Sequence, residues 1–138
     1  MVPGECVLTV DIRHAEDSIR QEAVSRLDAA ARAVADRRGL TLEWRPYLDQ
    51  PATRMTPAIV DMLERSAAAA GGTALAMTSG AGHDAMIVAP HMPAGMLFLR
   101  SPGGISHHPD ETVREEDVTL ALATGLNALE LLARTVDD

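Results

Sequence analysis

Three short segments of this 138-residue chain gather the side chains that could do chemistry. The first is Asp11-Ile12-Arg13-His14. The planar guanidinium of Arg13 is shaped to grip a carboxylate through two hydrogen bonds; the plain structural reading is a surface ion pair with Asp11 or a nearby Glu. The second is Ser79-Gly80-Ala81-Gly82-His83-Asp84. Its glycines let a ligand approach the backbone, and N–H groups at a helix start favour anions. His83 and Asp84 could supply a base or a metal ligand, although sequence neighbours rarely aim at one target; the plain reading is a tight turn with Asp84 as cap. The third is Gly103-Gly104-Ile105-Ser106-His107-His108-Pro109-Asp110-Glu111. A histidine on a glycine-flanked loop is well placed to ligate a metal, and Glu111 could orient it from behind; the plain reading is a solvent-exposed histidine.

These segments must be positioned by regular elements, and periodicity suggests which. Cys6 to Arg13 alternates with β-branched residues and predicts a strand. Ile19, Ala23, Leu27, Ala30, Ala31, Val34 and Ala35 recur at helical spacing, with Asp17 or Ser18 as N-cap and Gly39 beyond the end. Leu40 to Arg45 alternates again. Pro46 to Met55 predicts a linker. Thr56-Pro57 opens a helix striped by Ile59, Val60, Leu63 and Ala67, with proline at its first position. Thr73 to Met77 and Gly95 to Leu99 predict buried strands, separated by a short helix ending near Val88. Glu115 to Thr135 predicts a long amphipathic helix. This alternation points to α/β or α+β layers.

Composition narrows the function. The chain is 46% hydrophobic and 23% charged, with a formal net charge of -8. No basic patch with interleaved aromatics is present, which argues against nucleic acid as partner. No apolar run reaches the roughly 20 residues that span a bilayer, and the first residues lack a secretory pattern. Cys6 stands alone, so no internal disulfide forms; the reading is a small buried hydrophobe in a cytoplasmic protein.

Taken together and in order, VPGECVLTVDIRH, TSGAGHDAM and PAGMLFLRSPGGISHHPDE resemble the hydantoinase/carbamoylase-type amidases. That group holds allantoate amidohydrolase, N-carbamoyl-L-amino-acid hydrolase and β-ureidopropionase, within the zinc aminopeptidase-like metallopeptidases. The resemblance runs from Val2 to about Ala133. It implies an α/β chain in which residues 1–46 are the C-terminal half of a ferredoxin-like lid and dimerisation domain, strand-helix-strand. Residues 47–138 are then the C-terminal segment of the catalytic domain.

The resemblance also implies roles. His107, the histidine of GISH, matches a metal ligand; Arg13 matches the arginine that binds the substrate carboxylate; Gly82 matches a glycine set against the substrate. His83, Asp84 and Glu111 match supporting positions. The complete enzyme uses two divalent ions, zinc, manganese or cobalt, and hydrolyses C–N bonds of small ureido or N-carbamoyl acids as a homodimer paired through the lid. The other metal ligands and the general-base glutamate lie upstream in the family, so no catalytic residue is expected in this chain. An asparagine of the substrate site is expected just before Val2, where Met1 stands. The isolated chain is therefore expected to be inactive. Two other readings stay open: a non-catalytic remnant or split subunit needing an N-terminal partner, and a peptidase or aminoacylase relative.

Overall fold

The computed structural model describes residues 3–136. Met1 and Val2, and with them the expected asparagine position, lie outside the described residues. The chain divides into two compact units, Met1–Ala52 and Thr53–Asp138.

The first unit is built on α1 (Asp17–Arg38). Glu16 is the N-cap residue, and its carbonyl accepts the N–H groups of Ile19 and Arg20 at 3.1 and 3.2 Å. The helix stops at Gly39, whose φ of 63° is left-handed. There the N–H of Leu40 reaches back to the carbonyl of Ala35 at 2.9 Å, a closure that glycine makes without a steric penalty. Arg37 and Arg38 in the last turn favour the negative end of the helix dipole. Arg20 then fastens the unit: it pairs with Asp17 at 2.8 Å and with Asp49, far along the chain, at 2.7 Å. Its side chain is only 11% exposed.

The second unit rests on two packed helices, α2 (Pro57–Ala69) and, near the chain end, α4 (Glu115–Val136). Between them lie the short α3 (Asp84–Val88) and a 3₁₀ turn at Pro102–Gly104. Pro57 fits the first position of α2 because its missing N–H has no helical partner to lose. The α2–α4 contact buries Met62, Ser66, Ala67, Thr124 and Ala128. These are mostly small, which lets the helix backbones come close. The Asn127 side chain donates to the carbonyl of Ser66 at 3.1 Å and ties one helix to the other.

Two further anchors fix the connecting segments. The N–H of Thr56 donates to the carbonyl of Ala94 at 2.8 Å, while its hydroxyl accepts the Ala94 N–H at 3.0 Å. Gly95 then passes so close to α2 that a Cβ there would lie 2.6 Å from Cγ2 of Ile59. At the other end of that segment, Arg100 forms a two-pronged ion pair with Asp117 in the first turn of α4. On the α4 side, Gly72 lies under Leu120 in the same manner.

The four α-helices of the described residues correspond to those predicted, but the fold class does not. Among the described residues there is no β-strand, so the expected α/β arrangement, with its strand-helix-strand lid, is corrected to a helical one. The physical reason is pairing. Strand structure exists through ladder hydrogen bonds to a neighbour, and the alternating segments Cys6 to Arg13, Leu40 to Arg45, Thr73 to Met77 and Gly95 to Leu99 form no ladder. Their side chains show it on both faces: Val7, Leu8 and Val10 are all exposed. Cys6, expected to be buried, is exposed with them.

Candidate functional site

The histidine loop leaves Arg100, already pinned to α4, and turns sharply. Gly103 and Gly104 have φ of 76° and 67°, and His107 follows with φ 55°. For the glycines this conformation is free; for histidine it costs about 1–2 kcal/mol. Strain of this kind persists where something holds it. Here the holder is Glu111, whose carboxylate accepts the backbone N–H of His107 at 2.8 Å. The N–H of Glu111 in turn donates to the carbonyl of His108 at 2.9 Å. His108 is occupied locally, its Nδ1 accepting the Asp110 N–H at 3.2 Å. His107 itself is exposed. Glu111 thus supports the histidine through the main chain, whereas the sequence suggested contact with the ring.

The glycine loop enters α3. His83 is the residue before the helix, in extended conformation, and its carbonyl accepts the Met86 N–H at 2.9 Å. Asp84 stands at the first helical position rather than at the cap. The loop has an internal latch that sequence reasoning missed: the Ser79 hydroxyl lies 2.8 Å from Nε2 of His83 and also accepts the Ala81 N–H at 3.2 Å. The His83 ring packs against Phe98 with centroids 5.1 Å apart and planes tilted by 59°. The i, i+4 spacing of Ser79 and His83 was the available signal. Around Gly82 there is room, since an added Cβ would meet only Sδ of Met86, at 3.9 Å. The fold itself does not demand glycine at that position.

Arg13 belongs to the first unit. Its Nε lies 2.9 Å from Asp11 Oδ1, so its fork faces the carboxylate two residues back. This hydrogen bond, aided by charge attraction, holds the Asp11 carboxyl below its usual range and raises Arg13. Both side chains are well exposed, 59% and 63%. Next to them the N–H of Glu16 donates to Nδ1 of His14 at 2.9 Å.

The structure therefore brings together Ser79 with His83, Glu111 with His107, and Arg13 with Asp11. It does not assemble a metal cage. Among the described residues no group of three or more His, Cys, Asp or Glu side chains could hold an ion.

Residues 4–133 match the model of peptidase family M20/M25/M40. The chain belongs to this family. Relatives agree with the match. Allantoate amidohydrolase of Escherichia coli (strain K12) is 32% identical over 132 residues, covering 96% of this chain and 31% of that protein. Allantoate deiminase of Arabidopsis thaliana is 34% identical, covering 96% and 26%. An N-carbamoyl-L-amino-acid amidohydrolase of Paenarthrobacter aurescens is 29% identical, covering 96% and 32%. The resemblance carried by DIRH, SGAGHDA and GISHHPDE is thus borne out over nearly the whole chain. The M20 chain spans between about a quarter and a third of the length of these relatives. Among the described residues no helix is long and apolar enough to cross a membrane.

Proposed function

We propose that this M20-family chain serves a metal-dependent hydrolase of C–N bonds in allantoate-like ureido acids or N-carbamoyl amino acids. The observation that carries the reading is the match to relatives of those names together with the backbone of His107. A histidine kept in left-handed geometry by Glu111, on an exposed loop, is a side chain presented outward at a cost. Function is the usual reason for such a cost.

In this reading His107 offers one imidazole to a divalent ion. The described residues alone do not fit such an ion, because a stable site needs roughly three or more protein donors. The remaining donors and the general base are proposed to lie outside these residues, and zinc, manganese and cobalt all suit imidazole and carboxylate sets. What this chain's own residues do is bind and orient. Arg13 releases Asp11 and takes the substrate carboxylate with the same two-pronged geometry. The open space at Gly82 admits the substrate against the backbone, and the Ser79–His83 latch keeps that loop in shape. Asp84 opens the helix that follows that loop, and Glu111 keeps the His107 loop in shape. Orientation by these contacts favours the reactive geometry. Homodimerisation through residues 1–46 and a cytoplasmic location, suggested by the lone thiol, complete the proposal.

The test is a chimera in which residues 4–133 replace the matched third of the E. coli allantoate amidohydrolase. It is assayed on allantoate, N-carbamoyl-L-amino acids, N-acyl amino acids and dipeptides. Hydrolysis of a ureido or carbamoyl substrate is expected. His107→Ala should lower metal content sharply, and Arg13→Ala should raise KM while sparing metal. Preference for dipeptides or N-acyl substrates, or unchanged metal content in His107→Ala, overturns the reading.

A further inference from the structure

The Ser79–His83 latch does more than close a loop. The Ser79 oxygen sits between two partners, the Ala81 N–H at 3.2 Å and Nε2 of His83 at 2.8 Å. Both side chains are half-buried. A hydroxyl has one proton to give and lone pairs with which to receive. The Ala81 N–H takes up a lone pair. Among the described residues the hydroxyl proton has one hydrogen bond to enter, the one to Nε2. Were the hydroxyl to accept from both partners, its own proton would be left unused in a half-buried place, at a cost in free energy.

That direction has a consequence for the ring. A neutral imidazole carries its proton on one nitrogen, and the hydrogen bond made by the other decides which. With Nε2 accepting, the proton sits on Nδ1. Nδ1 makes no hydrogen bond among the described residues. The ring is held from a second side by Phe98, whose centroid lies 5.1 Å away, so packing and hydrogen bond together fix its orientation. The preceding residue is Gly82, with open space beside it.

We propose that Ser79 is a positioning residue for the hydrolysis described above: by donating to Nε2 it places the ring proton of His83 on Nδ1 and makes the imidazole an N–H donor beside Gly82. A group that enters there meets a donor and not a lone pair. That suits the oxygen of a ureido, carbonyl or carboxylate group and disfavours a protonated amine. Ser79 itself touches no substrate and acts through the ring. Without its hydroxyl the ring holds its proton on either nitrogen, and part of the population offers a lone pair instead. Apparent affinity then falls with the competent fraction, while turnover of bound substrate is kept, so the loss appears in KM. The inference rests on the reading that substrate lies against Gly82.

The experiment has two arms. In the first, the 138-residue chain, isotopically labelled at its histidine nitrogens, is compared by NMR with Ser79→Ala and Ser79→Thr. The spectra are taken at about pH 8, above the ordinary histidine range, and the His83 signals are assigned by their loss in His83→Gln. The parent chain and Ser79→Thr, which keeps a hydroxyl, should show a protonated Nδ1 and a bare Nε2; Ser79→Ala should move toward the other tautomer. In the second arm the same changes are made in the chimera that carries residues 4–133. Ser79→Ala should raise KM for the ureido or carbamoyl substrate about two- to tenfold, the worth of one hydrogen bond, with kcat and metal content unchanged, and Ser79→Thr should restore KM. A protonated Nε2 in the parent chain overturns the proposal. So does a Ser79→Ala variant that keeps the parental tautomer, or one whose loss falls on kcat or is not rescued by threonine. The tautomer is read without substrate, so its failure is distinct from that of the hydrolase reading, which an inactive chimera overturns.

Discussion

The carboxylate of Glu111 and the main chain of His107 are joined by a 2.8 Å hydrogen bond across four residues, at the point where the histidine backbone turns left-handed. A β-branched side chain tolerates that conformation worst. His107→Val should therefore destabilise the chain by roughly 1–2 kcal/mol. In His107→Gly the relief of about 1–2 kcal/mol of strain is offset only in part by glycine's larger unfolded-state entropy, about 0.4–1 kcal/mol, so a small net gain in stability is expected. Urea midpoints for the two variants decide it; equal losses would mean that the turn is not strained.

Arg100 and Asp117 make stability depend on acid. The hydrogen bond from Arg100, with charge attraction as a smaller contribution, lowers the Asp117 carboxyl below its ordinary value of 3.8. A carboxylate lowered on folding stabilises fully above its unfolded value and loses that contribution as pH falls through the folded one. Melting temperature should thus drop below about pH 4, where the unfolded carboxyl begins to bind protons. In Asp117→Asn the loss should already be present at pH 7, and the acid limb should be shallower. Identical acid limbs would remove the pair from the argument.

Gly95 and Gly72 both lie against side chains, yet unequally. At Gly95 a methyl would strike the branched Cγ2 of Ile59 at 2.6 Å; at Gly72 it would strike the tip of Leu120 at 2.5 Å. A leucine tip swings aside, while a β-branched residue on a helix has one favoured rotamer. Gly95→Ala should cost about 1–3 kcal/mol by overpacking, and Gly72→Ala distinctly less. Denaturant titration of both variants ranks them, and the reverse order would contradict the packing described.

Ser66 is fully buried between α2 and α4, and its hydroxyl has no hydrogen-bond partner. Leaving such a group unsatisfied costs about 1–3 kcal/mol. Ser66→Ala should accordingly be neutral or raise the melting temperature, an unusual outcome for a change at a helix contact. A clear loss of stability would reveal a partner for the hydroxyl.

Sequence periodicity located the helices because their signals are local: Pro57 at a start, Gly39 past an end, apolar residues at three and four. It failed on the alternating segments because alternation describes which faces a strand could bury, not whether a neighbour exists to pair with it. At the candidate site, the residue types of Gly82, His83, Asp84, His107, Glu111 and Arg13 were legible. What Glu111 does was not, since a bond to the main chain leaves no trace in residue identity. Nor was the Arg100–Asp117 pair, which joins residues seventeen apart across an irregular segment.

The double grip of Arg20 has its own consequence. One guanidinium holds the start of α1 and Asp49 at once, so the return segment after Leu40 is clasped by charge. Raising ionic strength from 0.1 to 1 M shortens the screening distance from about 10 Å to about 3 Å. In brine that clasp loosens, and Arg54, just beyond it in the chain, is where trypsin should then cut.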